Sequence, residues 1–154
     1  MIAPLDHGVM EGMLSGLEEL PRLLEMVGEF PVQGIMLNKG ALRVHLQDIP
    51  LSVMAVAQLS GGTRHCLPPY ARSLMCSATE GLRLGADMVA VQVNIANELE
   101  DRMLADFGAI VDEAHGLFKI TDAPAQTAAE IGNFAWTKND EGDHQDKNQM
   151  VRFE

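Results

Sequence analysis

Short apolar runs, too brief for helices, alternate along the chain with longer segments in which apolar positions recur every three or four residues. Runs of strand length followed by segments of helical period predict βα units around a parallel sheet. Four such units are legible. The first pairs residues 2–5 with a helix over 16–27, where Ser15 and Glu18 form a capping box and Leu17, Leu20 and Leu24 make the apolar stripe. Pro21 makes the early turns of that helix imperfect. The second has Gly34-Ile35-Met36-Leu37 as its strand, then Asn38-Lys39-Gly40 and a short turn towards Val44.

The third strand, residues 51–59, is apolar at both parities except for Ser52 and Gln58, which predicts burial on both faces. It ends in Ser60-Gly61-Gly62. After a loop holding Pro68-Pro69, Ser77 and Glu80 form a second capping box for a helix through Leu82 and Leu84, stopped by Gly85. The fourth strand spans 88–95. Asn97 with Glu100 then caps a helix whose Leu99, Met103, Phe107, Ile110, Val111 and Ala114 share one face. Beyond Gly116 the pattern weakens: residues 117–120 read as a fifth strand, 125–131 as a short helix, and from Thr137 onward as a polar, disordered tail.

Composition narrows the function classes. A chain of 154 residues that is 47% hydrophobic builds one domain with a core. A net charge of -11 without a Lys/Arg cluster argues against a nucleic-acid partner. Cys66 and Cys76 lie ten apart with no CxxC and no nearby His pair, so neither a disulfide framework nor a zinc site is indicated and a reducing cytoplasm fits. The first residues lack a basic region and no stretch has the roughly 18 apolar residues of a membrane span, so neither export nor a membrane is expected.

In parallel α/β folds the chemistry gathers at the carboxyl ends of the strands. Here those ends carry Asp6-His7, Asn38-Lys39, Gln58 with Ser60, and Gln92 with Asn94 and Asn97. Asp6 beside a cation such as Lys39 suits a general acid or base, the alternative being a turn cap before Gly8. His7 is balanced between substrate contact and a packed, hydrogen-bonded role. Of Lys39, Lys119, Lys138 and Lys147, only Lys39 has a strand-end address, where it binds an anionic group, forms an imine or stays solvated. The Ser60-Gly61-Gly62 run is no Walker loop, since no Gly-Lys-Ser/Thr follows. Asp140, Asp143, His144 and Asp146 read as solvated charge rather than a cation site. Cys66 beside His65 lacks the third partner of a nucleophilic triad.

The stretches "APLDHGVMEG", "GIMLNKGALR" and "VAQLSGGTRHCLPPYARSLMCSATEGLRLGADMVAVQVNIANELEDRMLADFGAIVDEAH" together resemble class I aldolases of the DeoC/LacD type, especially archaeal-type fructose-bisphosphate aldolases and aminodideoxyheptulosonate synthases. The resemblance covers residues 1 to 116 and is strongest over "DHG", "NKG" and "VQVNIANELED". It implies a TIM barrel that cleaves or transfers ketose phosphates through a lysine Schiff base, with no metal and no cofactor. It also implies Asp6 as the proton-transfer residue, and substrate contact from Asp6, His7, Gly8, Val9 and Met10, with Lys39 near the substrate.

The departures are as specific as the match. The family has "HKG" after strand two where Asn38 stands here, and a Tyr-Pro-Arg-Gly-like motif after the fourth helix where this chain has Leu117-Phe118-Lys119-Ile120. The stretch "TAAEIGNFAWTKNDEGD" is faintly similar to the region around the Schiff-base lysine, with Lys138 in its place. A complete barrel takes about 200 residues or more. The expectation is therefore a partial (β/α) barrel over 1–136, a polar tail over 137–154, and self-association of the open sheet into a homo-oligomer. Two functional readings stand: a cytoplasmic aldolase acting on a small-molecule sugar phosphate, and a non-catalytic half-barrel that acts through self-association or complementation.

Overall fold

The computed structural model of the chain describes residues 1–120 and 147–152. Its main sheet has the order β1 (Ile2–Pro4), β2 (Gly34–Asn38), β3 (Met54–Gln58), β6 (Met88–Val93), β7 (Lys147–Arg152), with the first four parallel and β7 antiparallel to β6. The four parallel strands curl into the half-barrel wall expected from the βα pattern. Between β3 and β6, the short strands β4 (Ser60–Gly61) and β5 (Ser73–Leu74) pair antiparallel and close a loop of residues 62–72.

The two parities of the strands bury against different partners. Ile35, Leu37, Ala55, Ala57, Val89 and Val91 face the helices and form the main core with Leu24, Leu42, Ile110 and Ala114. Met36, Val56 and Ala90, with Ile2 and Met88 packed on them, form a second, smaller cluster at the other parity. This two-sided burial is why the strands read as nearly continuous apolar runs.

The helices are α1 (Gly8–Glu11), α2 (Leu20–Gly28), α3 (Lys39–His45), α4 (Ala78–Arg83) and α5 (Glu100–Ile120), and several differ from the sequence reading. The helix expected from residue 16 starts at Leu20, because Pro21 belongs in a first turn, where its missing N–H costs nothing. Glu18 accepts a hydrogen bond from the Gly16 amide instead of closing a capping box on Ser15. Residues 39–45, expected as a turn, make two helical turns followed by a 3-10 turn at Leu46–Asp48.

The third strand begins three residues late. A turn closed by the Val53 amide on the Pro50 carbonyl occupies its expected start and leaves Leu51 fully exposed. Residues 117–120, expected as a strand, continue α5, since Leu117 extends the stripe of Phe107, Ile110 and Ala114 onto the core and propagating a helix is easier than nucleating a new element. Within the tail expected to lack order, Lys147–Arg152 is strand β7. It occupies the flank of β6, so of the two expected free sheet edges only β1 is unpaired among the described residues. The helix expected over 125–131, Lys138 and the charges at 140–146 lie outside the described residues.

The cap signals at α4 and α5 are realised. Ser77 Oγ accepts from the Glu80 amide at 3.1 Å, and Gly85 ends that segment at φ +88°. Asn97 Oδ1 accepts from the Leu99 amide at 3.0 Å, while the Glu100 carboxylate accepts from the Ala96 amide.

Candidate active site

The parity that faces away from the helices becomes polar at the carboxyl ends of the strands. Asn38 and Gln58 are register partners at the ends of β2 and β3, Gln92 lies two residues beyond Gln58's partner Ala90, and Asp6 continues the Ile2, Pro4 alternation of β1. The ladder runs on past β1 through the Leu5 amide to the Met36 carbonyl, which brings Asp6 beside Asn38. Asn38 Nδ2 donates to the Asp6 carbonyl at 2.7 Å. The residue of β2 that reaches the "DHG" segment is thus Asn38, one position from the expected Lys39.

Lys39 opens α3, and its ammonium lies 3.4 Å from both carboxylate oxygens of Glu80 on α4. Arg43 approaches the same carboxylate at 3.6 Å. The anion that Lys39 binds in this structure is therefore Glu80. His7 is exposed, and its carbonyl accepts from the amides of Met10 and Glu11 to start α1. Gly8 is the first residue of that turn. Val9 packs towards Gly61, and Met10 approaches Arg72.

Gln58 is 1% exposed, and neither oxygen nor nitrogen of its amide has a partner among the described residues. A buried polar group left without a partner costs about 1–3 kcal/mol, so the Gln58 amide is a candidate contact for a ligand or an ordered water. Beside it, Ser60 Oγ accepts from the Gln92 amide at 2.8 Å and donates to the Gln92 carbonyl at 3.4 Å, extending the β3–β6 ladder through a side chain. Gln92 Nε2 donates to Asn94 Oδ1 at 3.2 Å. Asn94 and Asn97 donate in turn to the carbonyls of Tyr70 and Pro69, holding the 62–72 loop against the end of β6.

Sequence reasoning singled out the strand-end residues but not the loop's two arginines, Arg64 and Arg72. Arg64 pairs with Glu11 at 3.5 Å, and its amide donates to the Met10 carbonyl. Arg72 is 5% exposed, with its guanidinium 3.8 Å from Met10 Sδ. The available signal was two arginines flanking Pro68-Pro69 after a Gly-Gly strand end. On the helix side, burial first and the carboxylate of Glu80 second push the Cys76 thiol up to about 11, which keeps it protonated and unreactive near neutral pH.

Residues 1–120 match the sequence model of the DeoC/LacD family aldolases. Among curated relatives, a 2-amino-4,5-dihydroxy-6-oxo-7-(phosphonooxy)heptanoate synthase of Streptomyces griseus is 37% identical over 111 residues, which cover 72% of this chain and 40% of the relative. The 2-amino-3,7-dideoxy-D-threo-hept-6-ulosonate synthase 1 of Archaeoglobus fulgidus is 26% identical over 110 residues, covering 71% and 42%. Among solved structures, a Schiff base forming fructose-1,6-bisphosphate aldolase superposes with a TM-score of 0.65 at 20% identity, over 76% of this chain and 48% of that one. An archaeal fructose-1,6-bisphosphate aldolase whose catalytic Lys is covalently bound to the carbinolamine intermediate of its substrate also gives 0.65 at 20% identity, over 76% and 47%. The chain spans about two-fifths of the length of these curated relatives.

Proposed function

The chain belongs to the DeoC/LacD family of aldolases, and from that premise we propose that it takes part in carbon–carbon bond cleavage or aldol transfer on a phosphorylated ketose through a lysine Schiff base. The observation that carries the reading is the cluster at the strand ends, where the Gln58 amide, without a partner among the described residues, lies beside Asn38 and the "DHG" segment. In this reading Asp6 moves the proton to and from the substrate's hydroxyl and carbon. Gln58 supplies a donor and an acceptor to the substrate's oxygens, and Asn38 holds the Asp6 backbone in place. Lys138 is the proposed imine-forming lysine. The oxo and phosphonooxy groups in the name of the Streptomyces synthase, and the ulosonate in that of the Archaeoglobus one, support a ketose, phosphorylated in the first case, as the substrate class.

Borohydride trapping tests the reading. With dihydroxyacetone phosphate present, reduction is expected to attach the three-carbon unit irreversibly to one lysine, located by peptide mass spectrometry and abolished by substituting that lysine. An adduct on Lys138 supports the assignment, whereas its absence from every lysine sinks Schiff-base catalysis by this chain. In an assay of cleavage, Asp6→Asn is expected to lower turnover by a hundredfold or more, on the order of what a positioned acid/base contributes.

A further inference from the structure

β6 is the strand of this sheet that most needs a neighbour. Residues 88–93 read Met-Val-Ala-Val-Gln-Val, with no charge, no proline and no glycine, and Val89, Ala90, Val91, Gln92 and Val93 are all buried. A bare edge of that composition templates pairing with another chain. One side of β6 is covered by β3 and the other, among the described strands, by β7. We propose that β7 guards this edge against a second copy of the chain, and that with residues 147–152 displaced β6 pairs antiparallel with β6 of another molecule.

The ladder between β6 and β7 is unbroken from Met88 opposite Arg152 to Val93 opposite Lys147, so this edge accepts an antiparallel strand along its whole length. β7 pairs with no other described strand, and residues 121–146 separate it from α5. A strand held by a single ladder is among the first parts of a fold to open, and a long connection adds little to the entropy of closing it again. It leaves and returns without unpairing the four parallel strands.

The two edges differ in what they invite. β7 carries Lys147 and Arg152 at its ends, with Asn148 and Gln149 beside the lysine, and charged edge residues, lysine above all, deter a further strand. β6 has no such defence. Two copies of it match about a two-fold axis through Val91, which sets Val89 against Val93 and Ala90 against Gln92. That register keeps the helix-facing Val89 and Val91, and Val93 at the same parity, on one face of the joined sheet, and β-branched residues directly opposite each other stabilise a sheet. An isologous contact of this kind closes as a dimer instead of growing into a fibre. Direction matters as well. The strands of an α/β barrel are all parallel, so an antiparallel partner here ends the sheet and does not extend a barrel.

Sedimentation velocity and amide hydrogen exchange on the full chain test the guard, with Ile2→Lys present throughout to remove association through the β1 side. Gln149→Pro and Met150→Pro are combined to displace β7. Successive amides of a strand point to opposite edges, so one of the two prolines removes a donor to β6 whatever the phase of the ladder. Without the prolines the chain is expected to sediment as a monomer with residues 88–93 protected. With them, exchange at 88–93 is expected to run roughly tenfold faster or more in dilute solution, and a species of twice the monomer mass to grow with concentration and restore protection. Equal exchange at 88–93, or equal dimer, in the two proteins overturns the guard. So does faster exchange throughout residues 1–120, which would make β7 part of the fold and not a cover. Faster exchange at 88–93 with a monomer at every concentration overturns the second copy as the occupant, as does recovery of another polypeptide on that edge. Growth beyond twice the monomer mass overturns the two-fold pairing.

Discussion

Glu113 shows how one side chain can hold two elements in place. It projects from α5 to the start of α4, where its carboxylate accepts from the amides of Ala78 and Thr79, both at 3.0 Å, and from Thr79 Oγ1 at 2.6 Å. Burial pushes its pKa upward, but the bond from the Thr79 hydroxyl and then those from the two amides outweigh it, so the group ends below the ordinary value of 4.5. A carboxylate with a lowered folded pKa contributes stability that is complete above its unfolded value and is lost as pH falls through the folded one. Glu113→Gln is therefore expected to be less stable than wild type by about 1–2 kcal/mol near neutral pH. That gap should close below pH 4.5. Urea melts across the pH range check it, and a gap independent of pH would show that the charge contributes nothing.

At the scale of elements, Gly81 and Gly108, in the two later helices, predict opposite outcomes. A Cβ at Gly81 of α4 would lie 3.2 Å from Val89 Cγ1 and 3.4 Å from Ala57 and Leu59, so this helix rests almost directly on β3 and β6. Gly108 of α5 is exposed with open space around it. Gly81→Leu is expected to destabilise the fold by about 2 kcal/mol or more through overpacking, whereas Gly108→Ala should stabilise it by about 0.5–1 kcal/mol through helix propensity. Thermal denaturation of the two variants beside wild type is the check.

The same elements explain what was readable in advance. Strand-length apolar runs and the Ser77/Glu80 and Asn97/Glu100 caps are local signals, and the structure realises the first four runs and both caps, the third strand starting three residues late and the run at 117–120 forming helix. The Ser15/Glu18 pattern misled because Pro21 sets the start of α2 more strongly than a capping box four residues earlier. At the strand ends, the sequence address named Asp6, Asn38 and Gln58, which the structure places side by side. It did not reveal that Lys39 answers to Glu80, a partner 41 residues away with no local trace. Arg64 and Arg72 escaped notice because a loop has no period to read, and only the fold brings them to α1.

For the whole molecule, the sheet has two unpaired edges among its described strands, β1 on one side and β7 on the other. β1 is three residues long, and Pro4 removes one of its amide donors, two features that blunt an edge without closing it. On the face away from the helices, Ile2 of β1 and Met88 of β6 stay partly exposed. We therefore expect concentration-dependent self-association through this side. In sedimentation velocity, species of at least twice the monomer mass should grow with concentration, and Ile2→Lys should shift the distribution towards monomer. A single monomeric species at every concentration would remove both the homo-oligomer and the reading of the chain as a self-associating half-barrel.

The loop of residues 62–72 is fastened at both rims of the mouth, to Met10 on one side and to Asn94 and Asn97 on the other. Lifting it requires several bonds of about 1 kcal/mol each to break together. It is therefore a lintel and not a door, a fixed rim over the end of β6 that stays in place while the rest of the mouth is free to vary.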